Sequence, residues 1–469
     1  MPAEPTATPP AHRDPYAIVR TRGYPRLLLL AAALGLPVSA AAFGFLALVS
    51  ALQELTWHDL PRALGFDATP NWWPVPLLAV AGLLTGLTIR HLPGDGGHKP
   101  AEGMMTTGAP RAVDLPGIAL AALAALGLGI VLGPEAPLIA LGGGLAVAAV
   151  RLLRADLPPD TLTVVGVAGS FAAISTLLGS PLLGAFLLME AAGLGGPLLG
   201  VVLVPGLLAA GVGALLFTGL GSWTGLGTYS LTLGHVPPAG QPDLAGFGWA
   251  LAAGAAAALI GTAIHRLALR VQHRVERRRV TGTVLVGALV GVSALVYAEW
   301  TGRDARDVLY SGQEALGPLL ASSAGYSAGT LLVLLACKSL AYGLSLGGFR
   351  GGPVFPSMFV GAVGGIALSH LPGLDLTSGF AMGLGAMCVA MLRLPMTSVL
   401  LATLLLGKDG LTVMPLVIVA VVVSYVLTLY LNPTPPSAPA APGTAPATPG
   451  APDGPSPLDG PDTAPTGRT

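Results

Sequence analysis

The residue best placed to do chemistry is Glu135. It is the only charged residue between Leu115 and Val150, and it sits in the segment GPEAP (133–137). A carboxylate inside a membrane span costs about 2.5–3.5 kcal/mol on insertion scales, so such a residue is a functional candidate by default. Proline on either side breaks the helix there and makes Glu135 the start of a new one. Free N–H groups and the helix dipole favour negative charge at that position. An anion could take the same place when the side chain swings away. The competing reading is a glutamate that caps an interfacial helix. Glu190 ends an apolar run before AAGLGG. It reads more simply as a span-end residue, or as a partner for an arginine, than as part of a path. Lys99 lies in GDGGHKPAEG (94–103) and Arg350 in GGFRGG (347–352). Each is either a solvated loop residue or a cation on an anion path. GGPVFP (351–356), just after Arg350, supplies a second helix start with free N–H groups.

Other chemistries find no residues. There is no HExxH, no aspartate within an apolar segment, and no nucleophile–base pair in a span, so an intramembrane enzyme is a remote alternative. His98 and His235 fall in loops. Cys337 and Cys388 lie in apolar runs and read as packing residues. No cofactor and no metal are expected. The chain has 23 basic and 23 acidic residues, so no nucleic-acid partner is expected either.

The elements that must hold Glu135 are membrane helices. Of 469 residues 53% are apolar and only 10% are charged, against about 25% charged in a soluble domain. Apolar stretches of about 20 residues recur, long enough to span a bilayer as helices. Several others are too short and read as half-membrane helices. The first apolar run, about 26–52, is too long for a signal-peptide core. The 66 glycines suit close helix packing and broken helices around a cavity. Residues 1–24 read as a disordered cytoplasmic segment and 25–218 as a first transmembrane repeat. Residues 219–244 read as a connecting loop, 245–432 as a second repeat, and 433–469 as a disordered Pro/Ala-rich tail. Arg266, Arg270, Arg274, Arg277, Arg278 and Arg279 mark a cytoplasmic loop. The halves echo each other. Pro137 and Pro356 are 219 residues apart, and Pro181 and Pro395 are 214 apart, at similar breaks. Interrupted helices at matching places of two halves point to a transport site near the midplane. The fold class expected is all-α, with the plasma membrane as its home.

In five segments the chain resembles the CLC family of chloride channels and proton/chloride antiporters, in its prokaryotic form without cytosolic CBS domains. LGPEAPLIALGG (132–143) resembles the family's GREGP segment, and GGFRGGPVFPSMFVGAVGG (347–365) the segment with its GxFxP motif. GSPLLGAFLLMEA (179–191) and AMLRLPMTSVLLA (390–402) match the helices that follow, and GDGGHKPAEG stands where the family has GSGIP. The resemblance implies two inverted helical repeats with broken helices, a homodimer, and chloride or a similar anion as cargo, with protons as a second partner in antiporters. Nitrate or bromide is the alternative cargo; fluoride is disfavoured by the proline retained in GPEAP. Glu135 matches the gating glutamate. Gly133, Pro134, Ala136, Gly352, Val354 and Phe355 fall on the anion-binding segments, as do Gly97 and Lys99.

The departures bear on mechanism. Pro353 has no N–H. Gly97 stands at the place of the family's serine, and the C-terminal tyrosine is absent, since Tyr425 and Tyr430 lie within the last span. Lys99 is therefore expected to replace the missing hydroxyls as a cation at the central site, with a pKa lowered by burial. The inner proton glutamate of typical antiporters corresponds to Ala191, beside Glu190. Glu135, Glu190 and Lys99 remain as possible proton carriers, and coupling stays open.

Overall fold

The computed structural model describes residues 20–21, 23–103, 108–153, 158–193, 197–234 and 236–432. Residues 1–19 and 433–469, expected to be disordered, and His235 lie outside them.

The described residues fold as helices and loops. The first half contains α1 (Gly23–Glu54), the short α2 (Leu60–Ala63), α3 (Pro74–His91), α4 (Leu115–Leu128) and α5 (Glu135–Leu153). It continues with α6 (Pro159–Ala173), α7 (Pro181–Ala191) and α8 (Pro197–Thr224). The second half contains α9 (Leu244–Arg277), α10 (Arg279–Thr301), the short α11 (Leu316–Ala321) and α12 (Ala328–Gly348). It ends with α13 (Val354–Ser369), α14 (Leu376–Leu392), α15 (Pro395–Leu405) and α16 (Lys408–Leu431). Among the described residues, 8 helices are long and apolar enough to cross a membrane. α7 and α15 are half-length, at 11 residues each. Two boundaries differ from the sequence reading. α1 starts inside the segment read as the N-terminal extension, and α8 runs on to Thr224, into the segment read as loop. Nothing in the apolar run of α8 stops it before Gly225, where φ turns positive.

The order of elements repeats, and corresponding helices meet one another. α3 packs antiparallel on α10. A side chain at Gly82 or Gly86 would strike the α10 backbone near Thr283 and Val280, and one at Gly287 or Gly291 would strike α3 near Leu78 and Val75. Small residues are what let membrane helices approach so closely. An antiparallel pairing of equivalent helices requires the two halves to be inverted relative to each other. The same symmetry brings the two helix breaks together. Gly133 and Gly352 form an isolated antiparallel bridge, Gly133 N–H to Gly352 C=O at 2.8 Å and Gly352 N–H to Gly133 C=O at 2.6 Å. That bridge joins the N-terminal ends of α5 and α13 deep in the core, where Val354, Phe355 and Leu138 are fully buried.

Candidate functional site

Both helices at the bridge start with the pattern Gly-Pro-x-x-Pro: Gly133-Pro134-Glu135-Ala136-Pro137 and Gly352-Pro353-Val354-Phe355-Pro356. The pattern determines which backbone donors remain. The prolines have no N–H. Each glycine N–H is spent on the bridge. Leu138 N–H bonds Pro134 C=O and Ser357 N–H bonds Pro353 C=O, opening the regular helical ladder. Among the described residues this leaves the N–H groups of Glu135 and Ala136 on α5 and of Val354 and Phe355 on α13 without a backbone acceptor. An N-terminus with unpaired N–H groups is an anion site by construction.

A carboxylate occupies that site. Glu135 is 0% exposed. Its Oε1 accepts the Val354 N–H at 2.5 Å, and the N–H groups of Phe355 and of Glu135 itself also face the carboxylate. Oε2 has no hydrogen-bond partner among the described residues. Gly133 and Gly352 enclose the group so tightly that a Cβ on either would overlap it. A buried, half-satisfied carboxylate is costly, and helix packing alone gives no reason to keep one here. Around it the Tyr342 hydroxyl donates to Pro353 C=O at 2.7 Å, and Ser357 Oγ lies 3.6 Å from Cys388 Sγ. All three side chains are fully buried. Tyr342 braces the turn that aims Val354 N–H.

The remaining sequence-derived candidates fall elsewhere. Gly133 and Gly352, expected as anion ligands, give their N–H groups to each other and shape the cradle instead. Pro134 is a spacer without a donor. Gly97 sits in a left-handed turn in which Gly94, Asp95, Gly96 and Gly97 all have positive φ, closed by Gly97 N–H to Gly94 C=O at 2.8 Å. A serine there would carry the left-handed penalty, about 1–2 kcal/mol. Lys99 corrects an expectation. Its ammonium lies 2.6 Å from Glu276 and 3.5 Å from Glu102, with the side chain 32% exposed. The hydrogen bond it donates to Glu276 raises its pKa above the usual 10.5 and outweighs the lowering by desolvation, so the expected net lowering by burial does not occur. Glu190 caps α15: it accepts Met396 N–H at 2.9 Å, Thr397 N–H at 2.7 Å and Thr397 Oγ–H at 2.6 Å. Its partner is a helix terminus, not an arginine.

Sequence reasoning passes over Lys338, the lone charge in the apolar run 326–346. The rule that finds Glu135 would have found it. It is 0% exposed, and its ammonium donates to the carbonyls of Asp307, Leu309 and Tyr310 at 3.3, 2.6 and 3.2 Å. It also lies 4.6 Å from the Phe359 ring. These bonds tie the 307–310 turn to α12, one helical turn from Tyr342.

Comparison with known proteins agrees with this architecture. A solved slow cyanobacterial Cl−/H+ antiporter superposes with TM-score 0.69 at 18% identity, covering 88% of this chain and 96% of its own. A CLC-type fluoride/proton antiporter superposes with TM-score 0.61 at 17% identity, covering 86% and 95%. At such identities the likeness establishes the fold alone. YfeO of Escherichia fergusonii, named for ion transport, is 29% identical over 364 residues, 75% of this chain and 81% of its own. YfeO of Escherichia coli strain SE11 is 30% identical over 366 residues, with the same coverage. The voltage gated chloride channel family matches residues 81–429, and with the broken helices, the paired Gly-Pro starts and the buried glutamate between them, this integral membrane chain belongs to that family of anion transporters.

Proposed function

We propose that this protein carries chloride across the plasma membrane along a path that Glu135 closes. One observation carries the reading: a fully buried carboxylate, with Oε2 unpartnered, lies where the free N–H groups of α5 and α13 converge. That place suits any small monovalent anion, and the side chain is a tethered one. When it swings out, chloride can take its position and be held by the N–H groups of Val354, Phe355 and Ala136. These are neutral donors, so binding stays weak enough for release. Protonation removes the charge that the helix ends attract. Acid therefore opens the path.

Proton coupling needs a second carrier on the inner side. Ala191 cannot serve, both oxygens of Glu190 are occupied as a cap, and Lys99 stays protonated. The reading is accordingly acid-gated chloride movement without stoichiometric proton exchange, in a homodimer with a path in each subunit.

The test is chloride efflux from liposomes holding the purified protein, with external pH recorded simultaneously, from about pH 4 to pH 8. Chloride release that quickens with acid and drives no uphill proton flux is expected. Uphill proton movement would overturn the uncoupled form. Absence of chloride release throughout, with release of nitrate or fluoride, would overturn the choice of ion.

A further inference from the structure

α9 and α12 run side by side and in the same direction. A Cβ on Gly343 would stand 2.9 Å from Leu267 Cδ2, and one on Gly347 2.5 Å from Ala268 C=O. Those glycines draw the two helices together at that level. Before Gly343 the side chains of α12 are larger, and the helices part around a groove of about 390 Å³. Ile260, Ala263 and Leu267 line it from α9, and Leu332, Ala336 and Leu340 from α12. Ser339 is the one polar side chain in its lining. Leu332 and Leu340 are 57% and 47% exposed, so the groove opens on the outside of the helix bundle.

The α9 side of the groove continues into charge. With 3.6 residues per turn, Ile260, Ala263, Leu267, Arg270 and Arg274 fall on one stripe of the helix. Arg270 lies about 4.5 Å beyond Leu267 along the axis, and Arg274 about 10.5 Å. Both arginines are exposed. Neither is paired with a carboxylate among the described residues, and Arg274 Nη1 donates only to Arg270 C=O, at 3.4 Å. Glu276 is the only acid in α9. It lies on the opposite face of the helix, held by Lys99 at 2.6 Å. Arg266 is turned aside to Leu431 C=O at 2.8 Å. An apolar furrow that ends at two unpaired guanidinium groups is complementary to a molecule that joins an acyl chain to a phosphate. The guanidinium fork fits phosphate oxygens, and the furrow fits methylenes.

We propose that the α9–α12 groove binds an anionic glycerophospholipid of the inner leaflet, with an acyl chain between the helices and the phosphate on Arg270 and Arg274. The basic end of α9 faces the cytoplasm by the positive-inside rule. Basic pockets between spans on that side are where anionic head groups bind. The net negative head group matters, because the ammonium of a zwitterionic lipid would meet two arginines. The site stands apart from the Glu135 cradle and does not depend on how that cradle is read.

The experiment is photolabelling of the protein in liposomes by phosphatidylglycerol carrying a diazirine on one acyl chain. Phosphatidylcholine with the same chain is the reference. Residues 260–267 and 332–340 should take about tenfold more label from phosphatidylglycerol than from phosphatidylcholine. In Arg270→Gln/Arg274→Gln that ratio should fall to within about twofold of unity. Arg266→Gln/Arg277→Gln, which removes two charges off the stripe, should keep the wild-type ratio. Equal loss in both pairs would mean diffuse attraction to a basic surface and would overturn the proposal. Ala336→Trp fills the groove and should remove the label from 260–267 with both arginines in place. Unchanged labelling there also overturns it. Should a variant not fold, the wild type decides, since equal labelling by the two probes defeats the site. No label from either probe would mean that another copy of the chain covers the groove, and that too defeats it.

Discussion

The two helix starts share one frame and differ at the two positions inside it, of which the first sets the charge. Gly-Pro-x-x-Pro brings α5 and α13 to the same bridge, strips the same N–H groups and leaves the same pair free. On α5 the first helical residue is Glu135; on α13 it is Val354. Two like sites face each other and one tethered anion serves both, because the Glu135 carboxylate reaches across to the Val354 N–H. In the proposed reading the backbone makes the anion site and a single side chain makes the gate. A second carboxylate on α13 would place two like charges in one buried cradle, and mutual repulsion would keep one of them out or protonated.

Removing the gate and keeping the frame is the change with the largest expected effect. Glu135→Gln preserves the volume and removes the charge. Wild-type chloride flux should fall at least about tenfold from acid to neutral pH, the factor that a bias of about 1.4 kcal/mol gives. The variant's flux should be high and flat across that range. Liposome efflux at several pH values reads both. Variant flux that still falls with rising pH would place the proton-sensitive step away from Glu135. The converse change keeps the gate and breaks the frame. Replacing the peptide N–H of Val354 by an ester oxygen deletes one donor and leaves every side chain. A hydrogen bond to a charged group is worth about 1.5–3 kcal/mol. Chloride affinity should therefore drop by about 10-fold to 100-fold, measured by calorimetry in a Glu135→Gln background, where the cradle is free for chloride.

The same contrast explains what the sequence could disclose. Glu135 is legible because a lone charge in an apolar run between prolines is too costly to keep without a use. The paired breaks are legible because Pro137 and Pro356 repeat at fixed separation. What joins them is not. No local pattern says that Gly133 and Gly352 hydrogen-bond each other, 219 residues apart, or that this removes their N–H groups from the site. Lys99 misleads for a related reason. It follows two glycines and His98 in the right loop, but its partner Glu276 sits 177 residues away on α9. Arg350 has a sequence context just as ambiguous as that of Lys99. Only the fold shows that Arg350 bonds the carbonyls of Asp95 and Phe349 while Lys99 pairs with Glu276.

Glu190 tests whether the second glutamate belongs to the path or to the scaffold. Its two oxygens satisfy the exposed start of α15, in the manner of an N-cap supplied from another helix. Glu190→Gln turns an acceptor into an amide donor beside Thr397 N–H. Stability should fall by about 1–2 kcal/mol, the range for losing a helix cap, seen as a lower melting temperature in detergent. Chloride flux per folded protein, and its acid dependence, should match wild type. Altered acid dependence with unchanged stability would restore Glu190 to the proton path.

The smallest effect is expected from Lys99, and its smallness sharpens the comparison. Lys99→Ser removes an ion pair at the half-exposed mouth, where such pairs are worth about 0–1 kcal/mol. The sign with pH follows from its raised pKa. The pair's contribution is fully present below the ordinary lysine value and fades only as pH climbs through the raised one, well above the range in which Glu135 is proposed to gate. Between about pH 4 and pH 8 the variant should track wild type in chloride affinity and flux. Calorimetry and efflux on the same preparation check this, because a fixed cation held by Glu276 has no proton to give and no charge to spare for the anion. A clear loss of chloride affinity in Lys99→Ser would return the central cation to Lys99.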